Sequence, residues 1–288
     1  MELSMIIPPA LQPMPLAELA TWAVGVGFAA IDAEVEWQPA DADAVRAAGI
    51  APGPLRIRTS LADSDPATRG AACDTACAAI DQAPTLGLRT VWTLPRNFRN
   101  DRSQRENYAA ALESLRIVAA HAERQGVRVA IENCPFDGQN VIGTPEAWDT
   151  LFAALPSAAL GLCMDPSHCV WPGSDWLRAT REYARRIYHV HAKDAEIVSE
   201  GMYRFGVAGT QLGDPGQEDG WPRHGWWRHR LPGLGAVDWN ACITTLADQG
   251  YDGTVPFEHE DPLWGGSAAR VHRGLANGCA HLAQFIAP

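Results

Sequence analysis

Eight apolar runs of strand length alternate with eight helical patterns along 288 residues, and that alternation predicts an α/β fold, a single-domain (β/α)8 barrel over 1–288. Two further observations favour closure over an open doubly wound sheet. The runs are continuously apolar, as parallel strands covered on both faces should be, and no GxGxxG turn follows the first of them. With 47% hydrophobic and 20% charged residues, a chain of this length can bury a core without staples.

LSMII (3–7) reads as the first strand, and Leu16 to Val26 as a helix stopped by Gly25 and Gly27. FAAIDAEV (28–35) is the second strand, and the helix at 40–49 closes on Gly49. IAPGPLRI (50–57) is a weak third strand because two prolines interrupt it. A helix from Pro66 to Gln82, the strand LRTVWTL (88–94) and a periodic helix from Tyr108 to Gln125 follow. VRVAIE (127–132) is strand five. Thr144 then caps a helix with Pro145 at its first position, running to about Leu155. ALGLCM (159–164) is strand six, Asp175 to Arg186 a helix, and IYHVHA (187–192) strand seven. A polar and aromatic stretch, 195–236, breaks the rhythm as a long insertion after strand seven. A helix at 238–250, strand eight at TVPFEHE (254–260) and a helix from Ser267 to Ile286 complete the pattern.

Four consecutive strands end on groups that can hold a metal. GLCMDPSH stops at Asp165, VRVAIENCP at Glu132, IYHVHAKD at His191 and TVPFEHED at Glu258. An acid at the end of a buried strand costs several kcal/mol unless it is paired or bound, and in such a barrel chemistry gathers at the carboxyl ends of the strands. Converging carboxylates repel one another without a cation. Three carboxylates and an imidazole suit one divalent ion, Mn²⁺ first, with Mg²⁺, Co²⁺ or Zn²⁺ as the other candidates.

The motifs AIENCP, MDPSH, HVHAKD, RLPGLGAVDW and PFEHED, in this order from about residue 120 onward, resemble the sugar isomerase/epimerase group of xylose-isomerase-like TIM barrels. Ketose 3-epimerases and inosose-processing and keto-glycoside-processing enzymes belong to that group. The resemblance implies that Glu132, Asp165, His191 and Glu258 bind the metal, that His168 touches substrate oxygens, and that an arginine before the PGxG turn binds substrate. That arginine is Arg230, with Arg228 as the second candidate. Two features depart from the simplest ketose epimerases. Gly138 stands where they carry a second glutamate, and some thirty extra residues with Trp221, Trp226 and Trp227 precede RLPGLG, which points toward keto-glycosides or larger sugar derivatives.

The chemistry follows from the groups themselves. A metal bridging a carbonyl and the neighbouring hydroxyl acidifies the shared C–H and favours an enediolate. Glu132 and Glu258 can then act as two bases, one removing the proton and the other returning it. Return to the opposite face is epimerisation, return to the adjacent carbon is isomerisation, and expulsion of a β leaving group makes the same protein a lyase.

Blander readings stand beside these. A single strand-end acid can be a structural ion pair, and His168 can simply cap the helix after strand six. His189 is expected to face away from His191, as packing or outer support for the site. Glu260 competes with Glu258 for the ligand role, pointing the same way. Lys193 and Asp194 are placed at the rim, as substrate contacts or a surface ion pair. Trp226 and Trp227 form either a sugar-facing lid or a subunit contact, the latter compatible with a homo-oligomer or a partner subunit. Glu34, Glu36 and Trp92 are weaker pocket candidates.

The formal charge of −11 speaks against a general grip on nucleic acid or anionic membranes, and so against a DNA-repair endonuclease of the same barrel type. A non-catalytic sugar-binding subunit has no need of two glutamate bases. Seven cysteines without a CxxC pair read as reduced core thiols, with Cys73 and Cys77 packing one helical turn apart. MELSMIIPPALQPMP is not expected to be a signal peptide, and no run approaches the ~18 apolar residues a membrane helix needs. The expected compartment is the cytoplasm and the expected partner a small-molecule carbohydrate.

Overall fold

The structure, a computed structural model, describes residues 1–99, 101–135, 140–207, 217–218, 221–222 and 225–286. Seven strands follow one another around a ring: β1 (Glu2–Met5), β2 (Ala30–Glu34), β3 (Ala51–Ile57), β4 (Thr90–Thr93), β5 (Arg128–Glu132), β6 (Leu160–Met164) and β7 (Ile187–Val190). The insertion then adds β8 (Asp194–Ile197), β9 (Gln217–Glu218), β10 (Trp221–Pro222) and β11 (Trp227–Arg230), before β12 (Thr254–Phe257) returns to pair in parallel with β1. The ring closes where Ala192, two residues past β7, bridges Phe257 in parallel. There the Ala192 amide donates to the Pro256 carbonyl at 2.7 Å and the Glu258 amide to the Ala192 carbonyl at 3.3 Å. The chain is an eight-stranded parallel (β/α)8 barrel.

Helices pack around it: α1 (Leu16–Val26), α2 (Pro39–Ala47), α3 (Pro66–Gln82), α4 (Gln104–Gln125), α5 (Pro145–Ala154), α6 (Ser167–Val170), α7 (Trp176–Glu182), α8 (Ser199–Phe205), α9 (Trp239–Asp248) and α10 (Ala268–Leu282). Their starts are written in side chains. Asp65, Thr144, Asp175, Asp238 and Ser267 each accept a hydrogen bond from a first-turn amide. α4 begins a turn earlier than its apolar period suggests, because Ser103 and Glu106 form a reciprocal capping box. It ends on Gly126, whose φ of 63° is the left-handed conformation that glycine supplies without strain.

β3 pairs with both β2 and β4 despite its prolines. Its register against β2 passes from Asp32↔Gly53 directly to Glu34↔Arg56, so Pro54 falls in an irregularity where no ladder donor is needed. Outward-facing strand residues such as Val91, Val129, Leu162 and Val255 pack under the helices in one continuous core. Inside the barrel a smaller cluster, Ile6, Trp92, Ala130 and Cys163, makes a floor. Among the described residues, no helix is long and apolar enough to cross a membrane.

Candidate functional site

The four strand-end groups come together at one end of the ring. Glu132 is the last residue of β5, while Asp165, His191 and Glu258 each lie one residue past β6, β7 and β12. All four are buried, Asp165 and His191 completely. Glu132 Oε1 receives His191 Nδ1 at 3.1 Å and His168 Nε2 at 3.2 Å, and His191 Nδ1 stands 3.5 Å from Glu258 Oε2. Ligand atoms of Glu132, Asp165, His168 and Glu258 all lie within 4.8 Å of one another. His168, on the one-turn helix α6, thus joins the cluster more tightly than a capping role would require. His191 flanks it from β7.

This donor set fits a divalent cation. Asp165 Oδ2 is fully buried and accepts no hydrogen bond, although Lys193 Nζ and His168 Nε2 lie 3.3 and 3.4 Å away. A buried carboxylate oxygen that accepts no hydrogen bond, with the Lys193 ammonium 3.3 Å away, can also take a metal ion. The described residues therefore include a buried, oxygen-rich cluster that can hold a metal ion; oxygen donors of this kind do not themselves select one metal.

Lys193 is not at the rim. It is 1% exposed, and its Nζ donates to Glu258 Oε2 at 2.6 Å and to Glu260 Oε2 at 2.9 Å. The rim expectation overlooked that the residue two past His191 shares its inward direction. Burial works against the ammonium, yet Glu258, Glu260 and Asp165 outweigh it and hold Lys193 well above the ordinary lysine value. The two glutamates that share this lysine differ. Burial raises both carboxyls, but in Glu258 it loses to Lys193 and His191, so Glu258 falls well below the usual range whereas Glu260 stays above it. In Glu132, burial and the Glu258 charge are likewise outweighed, by His191 and His168, and its carboxyl lies below the usual range.

His189 also requires correction. It faces the same side as His191, since residues two apart on a strand share a face, and the two rings meet edge to face with centroids 5.2 Å apart. His189 Nε2 pairs with Asp32 Oδ2 at 3.0 Å deep in the barrel. Gly53 makes room for that pair, because a Cβ there would come within 2.4 Å of Asp32 Oδ1. Burial, outweighing Asp32, lowers His189 below the ordinary histidine value. Trp92 supports His191 from below, edge to face at 4.5 Å.

The insertion is an inner wall. β8 and β11 pair antiparallel, with Arg228 opposite Glu196 and Arg230 opposite Asp194. Period-two alternation then sends Arg228 and Arg230 one way and Trp227 and His229 the other. Arg228 is held by both oxygens of Glu196, at 2.9 and 3.1 Å, and Arg230 by Glu196 and by Asp261 at 2.9 Å. Trp227 is 3% exposed and stacks on Trp171 at 4.4 Å, while its edge meets His229 at 4.9 Å. His229 Nε2 lies 3.4 Å from Glu260 and its ring 5.9 Å from that of His168. Trp226 and Trp227 are buried within the chain. His229 escaped the sequence reading; its alternation with Trp227 on β11 was the available signal.

Asp194 is likewise not at the rim. It is fully buried, and its carboxylate accepts from the amides of Ala195, Gly233, Gly235 and Val237 and from Trp239 Nε1, at 2.9 to 3.1 Å. It therefore organises the PGLGAVDW turn and has no lone pair to spare for a substrate. Glu34 pairs with Arg58 at 3.1 Å and, with Glu36, lines a separate cavity. Gly138 and the Trp221 side chain lie outside the described residues. The seven cysteines are free thiols, six of them buried.

The family model described as xylose isomerase-like TIM barrel matches residues 20–283. The uncharacterized protein YfiH of Bacillus subtilis (strain 168) is 33% identical over 144 residues, 49% of this chain and 42% of that protein. An inosose dehydratase of Clostridium perfringens is 26% identical over 163 residues, 54% of this chain and 49% of that enzyme. The chain thus aligns with about half the length of these relatives. Two solved structures superpose over 99% of this chain and 99% of their own. They are D-psicose 3-epimerase from Clostridium cellulolyticum H10, with TM-score 0.74 and 14% identity, and 3-keto-D-glucoside 4-epimerase from E. coli, with TM-score 0.72 and 16% identity. At such identity they show a shared fold.

Proposed function

The chain belongs to the family of xylose isomerase-like TIM barrels, and from that premise we propose that it is a divalent-metal-dependent sugar isomerase or epimerase acting on a keto-sugar or a sugar derivative. The observation that carries this reading is the placement of two glutamates around one imidazole. Oε1 of Glu132 and Oε2 of Glu258 lie 3.1 and 3.5 Å from His191 Nδ1, on strands separated by β6 and β7. Glu132, Asp165, His191 and Glu258 would hold the cation, with His168 adjoining them. Mn²⁺ is the first candidate and Zn²⁺, Mg²⁺ and Co²⁺ the others. When bound, such an ion supplies Lewis-acid polarisation of a substrate carbonyl.

The protein's own groups do the rest. One glutamate takes the proton α to the carbonyl through its outward oxygen, and the electron pair moves onto the carbonyl oxygen. The other glutamate delivers a proton, to the opposite face of the same carbon for an epimer or to the neighbouring carbon for an isomer. His168 donates to a substrate oxygen, Lys193 holds Glu258 and Glu260 in place, and Trp227 with His229 keeps water off that side. Where a leaving group stands β to the deprotonated carbon, the electron pair expels it and the delivered proton goes to the leaving group. The half-length similarity to inosose dehydratases keeps that lyase outcome as the second reading.

The test is proton exchange in D₂O followed by NMR, with a 3-keto-glucoside and a free ketose supplied separately to the metal-loaded protein. Deuterium is expected at the α-carbon, and Glu132→Gln and Glu258→Gln should each slow its entry by about 10²–10⁴-fold. Undiminished exchange in either variant would remove the two-base reading, and released aglycone would move the assignment to the lyase.

A further inference from the structure

Two residues down β6 from Asp165, and two down β7 from His191, stand Cys163 and His189, which are partners in the ladder between those strands. Cys163, His189 and His191 are completely buried. The Cys163 Sγ and one nitrogen of each ring lie within 4.8 Å of one another. Trp92 sits against both rings, with centroids 6.3 Å from His189 and 4.5 Å from His191.

Each imidazole is held at one nitrogen and bare at the other. His189 Nε2 pairs with Asp32 Oδ2 at 3.0 Å and His191 Nδ1 with Glu132 Oε1 at 3.1 Å. His189 Nδ1 and His191 Nε2 have no hydrogen-bond partner among the described residues. A buried polar atom in that state costs about 1–3 kcal/mol, and here two of them share the barrel interior with a thiol. A carboxylate on the far nitrogen is how proteins aim an imidazole at a metal ion, because it keeps the ring proton away from the ligating side. Asp32 stands in that relation to His189, and Gly53 leaves the space for it. At His191 burial is outweighed by Cys163 and Glu132, which favour a positive charge on the ring. The proton that this leaves on Nε2 has no acceptor, and a metal ion can replace it.

We propose that Cys163, His189 and His191 form a second metal site, which takes Zn²⁺ through Sγ, Nδ1 and Nε2 respectively. One thiolate and two imidazoles are a softer donor set than the carboxylates above them, so the two positions select different metals. Bonds of about 2.0–2.3 Å to Zn²⁺ set such donors roughly 3.3–3.8 Å apart, which these three reach by drawing together by at most about 1.5 Å. Binding exchanges protons for the ion: the Cys163 S–H bond breaks, an S–Zn bond forms, and the thiol and His191 Nε2 protons leave to solvent. With a cation also in the glutamate cluster, the His191 ring bridges the two ions. The inner ion touches no substrate; it ties β6 to β7 and fixes the direction of His191.

The test is the near-ultraviolet absorption of protein produced with Co²⁺ in the growth medium, so that the ion is present as the chain folds. Co²⁺ on Cys163 gives a thiolate-to-metal charge-transfer band, which carboxylates and imidazoles do not give. Cys163→Ser should lose the band, and one ion per chain by elemental analysis, while keeping the native circular dichroism. Cys163→Ala serves if the serine variant does not fold. Asp165→Asn, aimed at the glutamate cluster alone, should keep the band. Protein that carries no Co²⁺, Co²⁺ bound without the band, or a band that survives in a folded Cys163 variant would each overturn the proposal.

Discussion

Lys193→Met should make the stability of the barrel depend on metal. In the native chain the Lys193 ammonium neutralises Glu258 at 2.6 Å, Glu260 at 2.9 Å and Asp165 at 3.3 Å, in a place 1% exposed. Methionine keeps the bulk and removes the charge, leaving two buried carboxylates and the half-buried Glu260 without their shared partner. Removing one side of a buried ion pair costs about 3–5 kcal/mol. For a chain of this size that is a fall in Tm of about 6–10 °C in EDTA. A divalent ion then has the cluster to itself. At a thousand times its Kd it restores about 4 kcal/mol, close to the whole loss. In the native chain the same ion must first displace the ammonium from Glu258 and Asp165, so its stabilising effect should be smaller. Differential scanning calorimetry of both proteins, in EDTA and in excess Mn²⁺, measures all four values. The reasoning is refuted if the variant melts in EDTA at the native temperature, or if Mn²⁺ raises the Tm of the variant no more than that of the native chain.

Two further outcomes follow from the same structure. Asp194→Ala strips five hydrogen-bond donors of their acceptor around the PGLGAVDW turn. It should lower urea-unfolding stability by about 3–5 kcal/mol, and a loss under 1 kcal/mol would show that the turn holds without it. Ellman's reagent should find at most the half-buried Cys77 in the folded protein and seven thiols in guanidinium. Burial pushes Cys163, Cys169 and Cys242 up to about 12, which leaves almost no thiolate to react; several thiols reacting under native conditions would contradict that burial.

The barrel was legible because its signals are local and redundant. Each strand is an apolar run, and Gly27, Gly126 and the caps at Thr144 and Asp175 punctuate the chain without help from tertiary contacts. The inward direction of Glu132, Asp165, His191 and Glu258 was legible for the same reason, since an acid ending an apolar strand has few places to go. What escaped depends on partners distant in sequence. Asp194 looks like a surface acid until the Gly233 to Trp239 segment folds back onto it. Lys193 looks solvated until Glu260 arrives from β12. His189 is a different kind of miss, because strand geometry alone puts it on the side of His191. The polar Asp32–His189 pair inside the barrel is then permitted by a glycine on the adjacent strand, which no local pattern announces.

The described part of the insertion is tied firmly to the barrel. Asp194 anchors the turn after β11, and Glu196 with Asp261 anchors Arg230, so the β8–β11 ribbon is tied at several points to buried charge. A lid must be able to leave, and a ribbon held through the buried carboxylates of Asp194 and Asp261 pays heavily to do so. Its inward residues, Trp227 and His229, are fixed in turn by Trp171 and Glu260. The β6–β7 flank of the glutamate cluster is therefore a standing wall.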